Sequence, residues 1–130
     1  MQMLPITSAL AGFAALFLVL LSFPIANHRR GARISFGDAG DEAFHRKIRA
    51  QANFIEYTPL AILAIGLIEF NGFPQIYVCV LAAALVLARV LHAIGLIWNV
   101  FIARAVGAVL TFLVLLGAGG ILAVHSVIGY

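Results

Sequence analysis

Residues 49–68 read RAQANFIEYTPLAILAIGLI. The first half carries Arg49, Gln51, Asn53, Glu56 and Tyr57, and the part after Pro59 is wholly apolar. A membrane-spanning helix needs about 20 mostly apolar residues, and ionisable groups inside one normally face a bundle interior or cavity. The stretch therefore predicts a membrane helix whose first turns bring polar groups to a protein-lined site.

The rest of the 130-residue chain agrees: 64% of it is hydrophobic and 10% charged, where soluble domains carry about 25% charged residues. Mean hydropathy is +1.11. Four apolar segments, about 4–26, 41–70, 74–99 and 101–128, are separated by HRRGARISFGDAG, NGFP and a short WNVF junction. Only helices and closed barrels span a bilayer, and no strand alternation competes. The expected fold is an all-α, integral membrane four-helix bundle, with residues 1–130 as one domain. The first segment lacks a basic leader and is too long for a signal peptide core, so it reads as a retained helix. The single cysteine, Cys79, falls inside the third segment and reads as a buried, inert thiol.

Six of the eight Lys and Arg lie between Arg29 and Arg49. By the positive-inside rule the first and third connections are cytoplasmic and both termini outside. That placement accounts for the formal charge of +3, and no nucleic-acid partner is expected.

On a helix, Arg49, Asn53, Glu56 and Tyr57 share one face. In the third segment Arg89 and His92 form an i, i+3 pair, and Arg104 opens the fourth. At 1.5 Å per residue, Arg49 lies about 10 Å and Glu56 about 20 Å from the start of their helix, and Arg89 about 15 Å from the end of its own. Three helices thus bring arginines, a carboxylate, an amide and an imidazole to the cytoplasmic half. Such a set suits a ligand bearing carboxylates and an amine, because guanidinium forks grip carboxylates. Internal ion pairing, Glu56 with Arg49 or Arg89, is the alternative, and Arg104 also reads as a basic anchor at a helix start. Glu69 belongs to the opposite interface. The scattered histidines give no metal-ligand spacing. Small residues at Ala84, Ala88, Gly107 and Gly117 permit close helix approach, within a protomer or between protomers.

RAQANFIEYTP (49–59) closely resembles the second-helix signature of the MAPEG family, the membrane-associated proteins of eicosanoid and glutathione metabolism. HRRGARIS, the Ala88-Arg89/His92/Gly95 run and Arg104 resemble that family's other helices. The FGDAGDE loop and IEFNG resemble its small bacterial branch. The resemblance implies a homotrimer in the bacterial inner membrane, with glutathione as co-substrate held between subunits on the cytoplasmic side. It implies that Arg49, Asn53, Glu56, Tyr57, Arg89 and His92, with Gln51 and Arg29, bind glutathione, and that Arg104 stabilises the thiolate. The implied activity is a detoxifying transferase or peroxidase acting on a hydrophobic electrophile or lipid hydroperoxide, without a metal. Leukotriene synthases of the family have tyrosines where this chain has His92 and Leu96, which argues against a leukotriene substrate. A non-catalytic, lipid-binding or partner-regulating protein of the same fold is the second reading. A small drug exporter is the third, and it is disfavoured by a first helix without an acid.

Overall fold

The computed structural model describes residues 4–128, and α-helix is the regular structure throughout them. The helices are α1 (Pro5–Ala32), α2 (Glu42–Phe70), α3 (Gln75–Ile97) and α4 (Phe101–Ile128). Each is long and apolar enough to cross a membrane, so the expected four-helix membrane bundle is the fold.

Their ends follow from local chemistry. Pro5 occupies the first turn of α1, where its missing N–H costs nothing. Sequence reading ends this helix near Ala26, but it continues through NHRRG to Ala32. Apolarity stops there while helix-compatible residues do not, and Arg29 and Arg30 in the last turn suit the negative end of the helix dipole. Arg33, in the left-handed conformation at φ 56°, stops it. Asp41 caps α2 by accepting the Phe44 N–H at 3.0 Å. Just before it, the Gly40 N–H and then the His45 ring hold the Asp38 carboxyl below its ordinary value of 3.8. The pull of these contacts is complete above the ordinary carboxylate value and lost as pH falls below it, through the lowered value of Asp38.

The α3–α4 junction is tight for a definite reason. Asn99 takes φ 57°, a conformation asparagine tolerates, and the Val100 N–H turns back to the Gly95 carbonyl at 2.9 Å. This closes α3 at Ile97 rather than near Asn99 and starts α4 at once.

α2 touches all three other helices, and α3 packs most extensively on α4. One core cluster joins Leu10, Ala61, Ile65, Val78, Leu85 and Val114, and a second joins Ala14, Leu21, Ala50, Phe54 and Ala93. Ala88 and Gly107 serve packing within the protomer: a Cβ at Gly107 would meet the His92 backbone N at 2.5 Å and the Ala88 carbonyl at 2.7 Å. Cys79 corrects the sequence reading. It is exposed on the outside of the bundle, because in a membrane the lipid-facing and core-facing positions of a helix are equally apolar.

Glu69 has a structural task. Its carboxylate accepts the backbone N–H groups of Ile6 (3.0 Å) and Thr7 (2.8 Å) and the Thr7 hydroxyl (2.6 Å). It thereby satisfies free donors at the start of α1, where the helix dipole also favours an anion. Glu69→Gln replaces one acceptor oxygen by a donor, and thermal unfolding in detergent should show a loss of about 1–3 kcal/mol. Unchanged stability would mean that α1 is held by apolar packing alone.

Candidate functional site

The polar stripe of α2 divides between two environments. Asn53 and Tyr57 turn towards α3 and α4, while Arg49 and Glu56 stay on the outer edge. The latter two form an ion pair at 3.8 Å, each with about half its side chain exposed.

Arg89 is the centre of the inner group. It is 2% exposed, which is unusual for a cation in any protein interior. One guanidinium nitrogen donates to Asn53 Oδ1 at 2.6 Å and another to the Thr111 hydroxyl at 3.1 Å. Thr111 in turn donates to the Gly107 carbonyl at 2.8 Å. Arg89 Nε is buried without a hydrogen-bond partner. Among the described residues, no carboxylate pairs with this guanidinium within 4 Å.

His92 lies one turn along α3 and is also buried. Its Nδ1 is 3.0 Å from the Arg104 main-chain carbonyl. A carbonyl only accepts, so Nδ1 carries the proton and Nε2 is left as an acceptor in the neutral ring. This bond ties the start of α4 to α3. Gly95 allows it, since a Cβ there would overlap the Arg104 backbone N and come within 2.5 Å of its Cα. The Arg104 side chain projects to the exposed surface, its guanidinium carbon 5.5 Å from the Phe101 ring centroid.

Asn53, Tyr57, Arg89, His92 and Thr111 line one small cleft of about 30 Å³, closed by Ala108 and by Phe112, which meets Tyr57 edge-on at 5.7 Å. That volume is on the scale of a single water molecule. A larger ligand does not fit inside it as it stands.

The structure therefore gathers Asn53, Tyr57, Arg89 and His92 and sets Arg104 one hydrogen bond away through its backbone. Arg49 and Glu56 flank this group. It does not bring Gln51 or Arg29 to the same place: Gln51 donates to the Ser22 hydroxyl on α1 at 2.7 Å, and Arg29 sits 5.3 Å from the Phe44 ring centroid. Sequence reading missed Thr111. Its signal is slight, a hydroxyl in the apolar first half of α4, four residues after a glycine.

A four-helix integral membrane protein with a buried guanidinium hydrogen-bonded to neutral partners inside the bundle is the class that fold and site define. The MAPEG family matches over residues 7–124, and the chain belongs to that family. It is similar to the inner membrane protein YecN of Escherichia coli strain K12 and to YecN of Escherichia coli O6:H1 strain CFT073. Each is 30% identical over 111 residues, covering 85% of this chain and 85% of the relative. The protein is a multi-pass integral inner membrane protein of a glutathione-associated family.

Proposed function

We propose that this protein is a glutathione-dependent membrane transferase or peroxidase whose second substrate is a hydrophobic electrophile or lipid hydroperoxide. Arg89 carries the reading. A cation 2% exposed, hydrogen-bonded to the neutral Asn53 and Thr111 and set over the Phe54 ring, needs an anion close by, because an unpaired buried charge costs several kcal/mol. A glutathione carboxylate supplies one. Arg49 is placed to take the second carboxylate, and Glu56, released from its long ion pair, to take the ammonium. Arg104 then meets the sulfur and favours the thiolate, which is the attacking species.

The cleft within one protomer is too small for a tripeptide, and Arg49 and Glu56 stand half-exposed on a membrane helix. Charges within a bilayer are costly to leave facing lipid, and Glu56, midway along α2, more so than Arg49 near its start. Both facts support a homotrimer in which a neighbouring copy covers this face and completes the glutathione site on the cytoplasmic side. In conjugation the thiolate forms a carbon–sulfur bond and displaces a leaving group. In the peroxidase reaction two glutathiones reduce the hydroperoxide to an alcohol and water, leaving glutathione disulfide. Calorimetric titration with glutathione, with thiolate absorbance in the ultraviolet, tests the proposal. Absence of both binding and thiolate would overturn it.

His92 has a positioning part in this scheme, through the Arg104 carbonyl. His92→Asn keeps an N–H near the place of Nδ1, and His92→Phe keeps the ring shape without a donor. Turnover is expected to fall about 10-fold in the Phe variant, the scale of one lost hydrogen bond, and to recover largely in the Asn variant. Equal losses in both variants would mean that ring packing, not the tether, matters.

A further inference from the structure

Arg89 reaches out from α3 and is held from two sides. One terminal nitrogen donates to Asn53 on α2 and the other to Thr111 on α4, at 2.6 and 3.1 Å. A threonine hydroxyl has a single proton, and Thr111 gives it to the Gly107 carbonyl at 2.8 Å. What remains on that oxygen is its lone pairs, and a guanidinium only donates. The direction of the bond is therefore fixed by chemistry: Thr111 accepts and Arg89 gives.

The acceptor is itself held in place. Arg104 and Thr111 are seven residues apart on α4, and Arg89 and His92 three apart on α3, so each pair shares a helix face. The structure joins them as two rungs, Arg89 to the Thr111 hydroxyl and His92 to the Arg104 carbonyl at 3.0 Å. Between the rungs lies Gly107, where a Cβ would stand 2.5 Å from the His92 backbone N. Backbone contact this close sets the distance of the Thr111 oxygen from α3. With 1% of Thr111 exposed, no water replaces it as the acceptor.

We propose that Thr111 is a positioning residue of this site: its hydroxyl, oriented by the Gly107 carbonyl, fixes the plane of the Arg89 guanidinium before a ligand arrives. The proposal rests on the glutathione reading for the identity of the ligand and not for the clamp. A side chain already ordered loses less freedom on binding, so the effect falls on affinity. The thiolate belongs to Arg104, two turns away, and is left alone.

Thr111→Val keeps the shape and removes the oxygen, and Thr111→Ser restores it. In calorimetry of the full-length protein in detergent, glutathione affinity should fall about 5- to 10-fold in the Val variant, the scale of one hydrogen bond, and recover in the Ser variant. Ultraviolet thiolate absorbance at saturating glutathione should stay constant across all three; general loosening of α3 from α4 would displace Arg104 and lower it. A second measurement reads the clamp without ligand: nuclear magnetic resonance of protein carrying isotope-labelled arginine, with the Arg89 signals identified by Arg89→Lys. Hindered rotation should separate the Nη protons in the wild type and the Ser variant, and the Val variant should average them. Thr111→Ala removes the same oxygen and carries the same expectations if the Val variant fails to assemble. Unchanged affinity, a loss that Ser does not recover, a thiolate signal that falls with affinity, or Nη signals alike in every variant would overturn the proposal. If the wild type binds no glutathione but its Nη protons respond as expected, the glutathione reading falls and the clamp stands.

Discussion

Arg104→Gln is expected to reduce turnover about 100-fold near neutral pH, the scale seen when one electrostatic stabiliser is removed from an active site, with glutathione affinity nearly unchanged. The guanidinium projects from the first turn of α4, and the backbone behind it is pinned by His92 at 3.0 Å. Affinity rests instead on Arg49 and Arg89, which the substitution leaves in place. A free thiol has a pKa of about 8.5, and a neighbouring cation lowers it. Removing the cation raises the bound thiol towards its free value, so the thiolate fraction at neutral pH falls. The sign follows directly: the deficit should be largest at low pH and shrink as pH rises towards the free thiol value. Ultraviolet difference spectra across pH, read beside turnover, check this. If Arg104→Gln leaves both signals unchanged, Arg104 is a basic anchor at the membrane surface, and Arg89 becomes the residue to test.

Gly107→Ala should produce a large structural effect for a single methyl group. Its Cβ would stand 2.5 Å from the His92 backbone N and 2.8 Å from the His92 Cα. Both are main-chain atoms of a packed helix and cannot swing aside. α3 and α4 must separate, and overpacking of this kind costs about 1–3 kcal/mol or more. The displacement acts on the site as well, because the Thr111 bond to the Gly107 carbonyl and the His92 bond to the Arg104 carbonyl both cross or border this contact. A lower unfolding temperature in detergent should accompany loss of glutathione binding. Gly117→Ala is the control. Its Cβ would meet only the flexible Leu81 side chain, at 3.8 Å, so stability should change little. Equal effects of the two substitutions would mean that general helix packing, rather than the α3–α4 contact, dominates.

Much of the fold was legible in the residues, for reasons peculiar to membranes. Spans announce themselves by length and apolarity, because a backbone in hydrocarbon has so few solutions. The polar stripe of α2 and the Arg89–His92 pair were legible too, since charge inside such a segment is costly and therefore conspicuous. Cys79 was misread because lipid-facing and core-facing residues look alike in composition. The end of α1 was misread because apolarity marks the bilayer boundary and not the helix boundary.

The sequence by itself determined that this is a four-helix membrane protein and which of its residues are chemically conspicuous. Which partners they take across helices was decided by tertiary structure. Helical spacing puts Arg49, Asn53, Glu56 and Tyr57 on one stripe, but only the position of α3 and α4 turns Asn53 inward to Arg89 and leaves Glu56 with Arg49 outside. Gln51 and Arg29 carry suitable chemistry, and it is the packing of α1 against α2 that commits them elsewhere. Thr111 and the carbonyl of Arg104 matter because of which groups they meet. A hydrogen bond is set by distance and direction between elements remote in the chain, and composition and spacing carry no record of that.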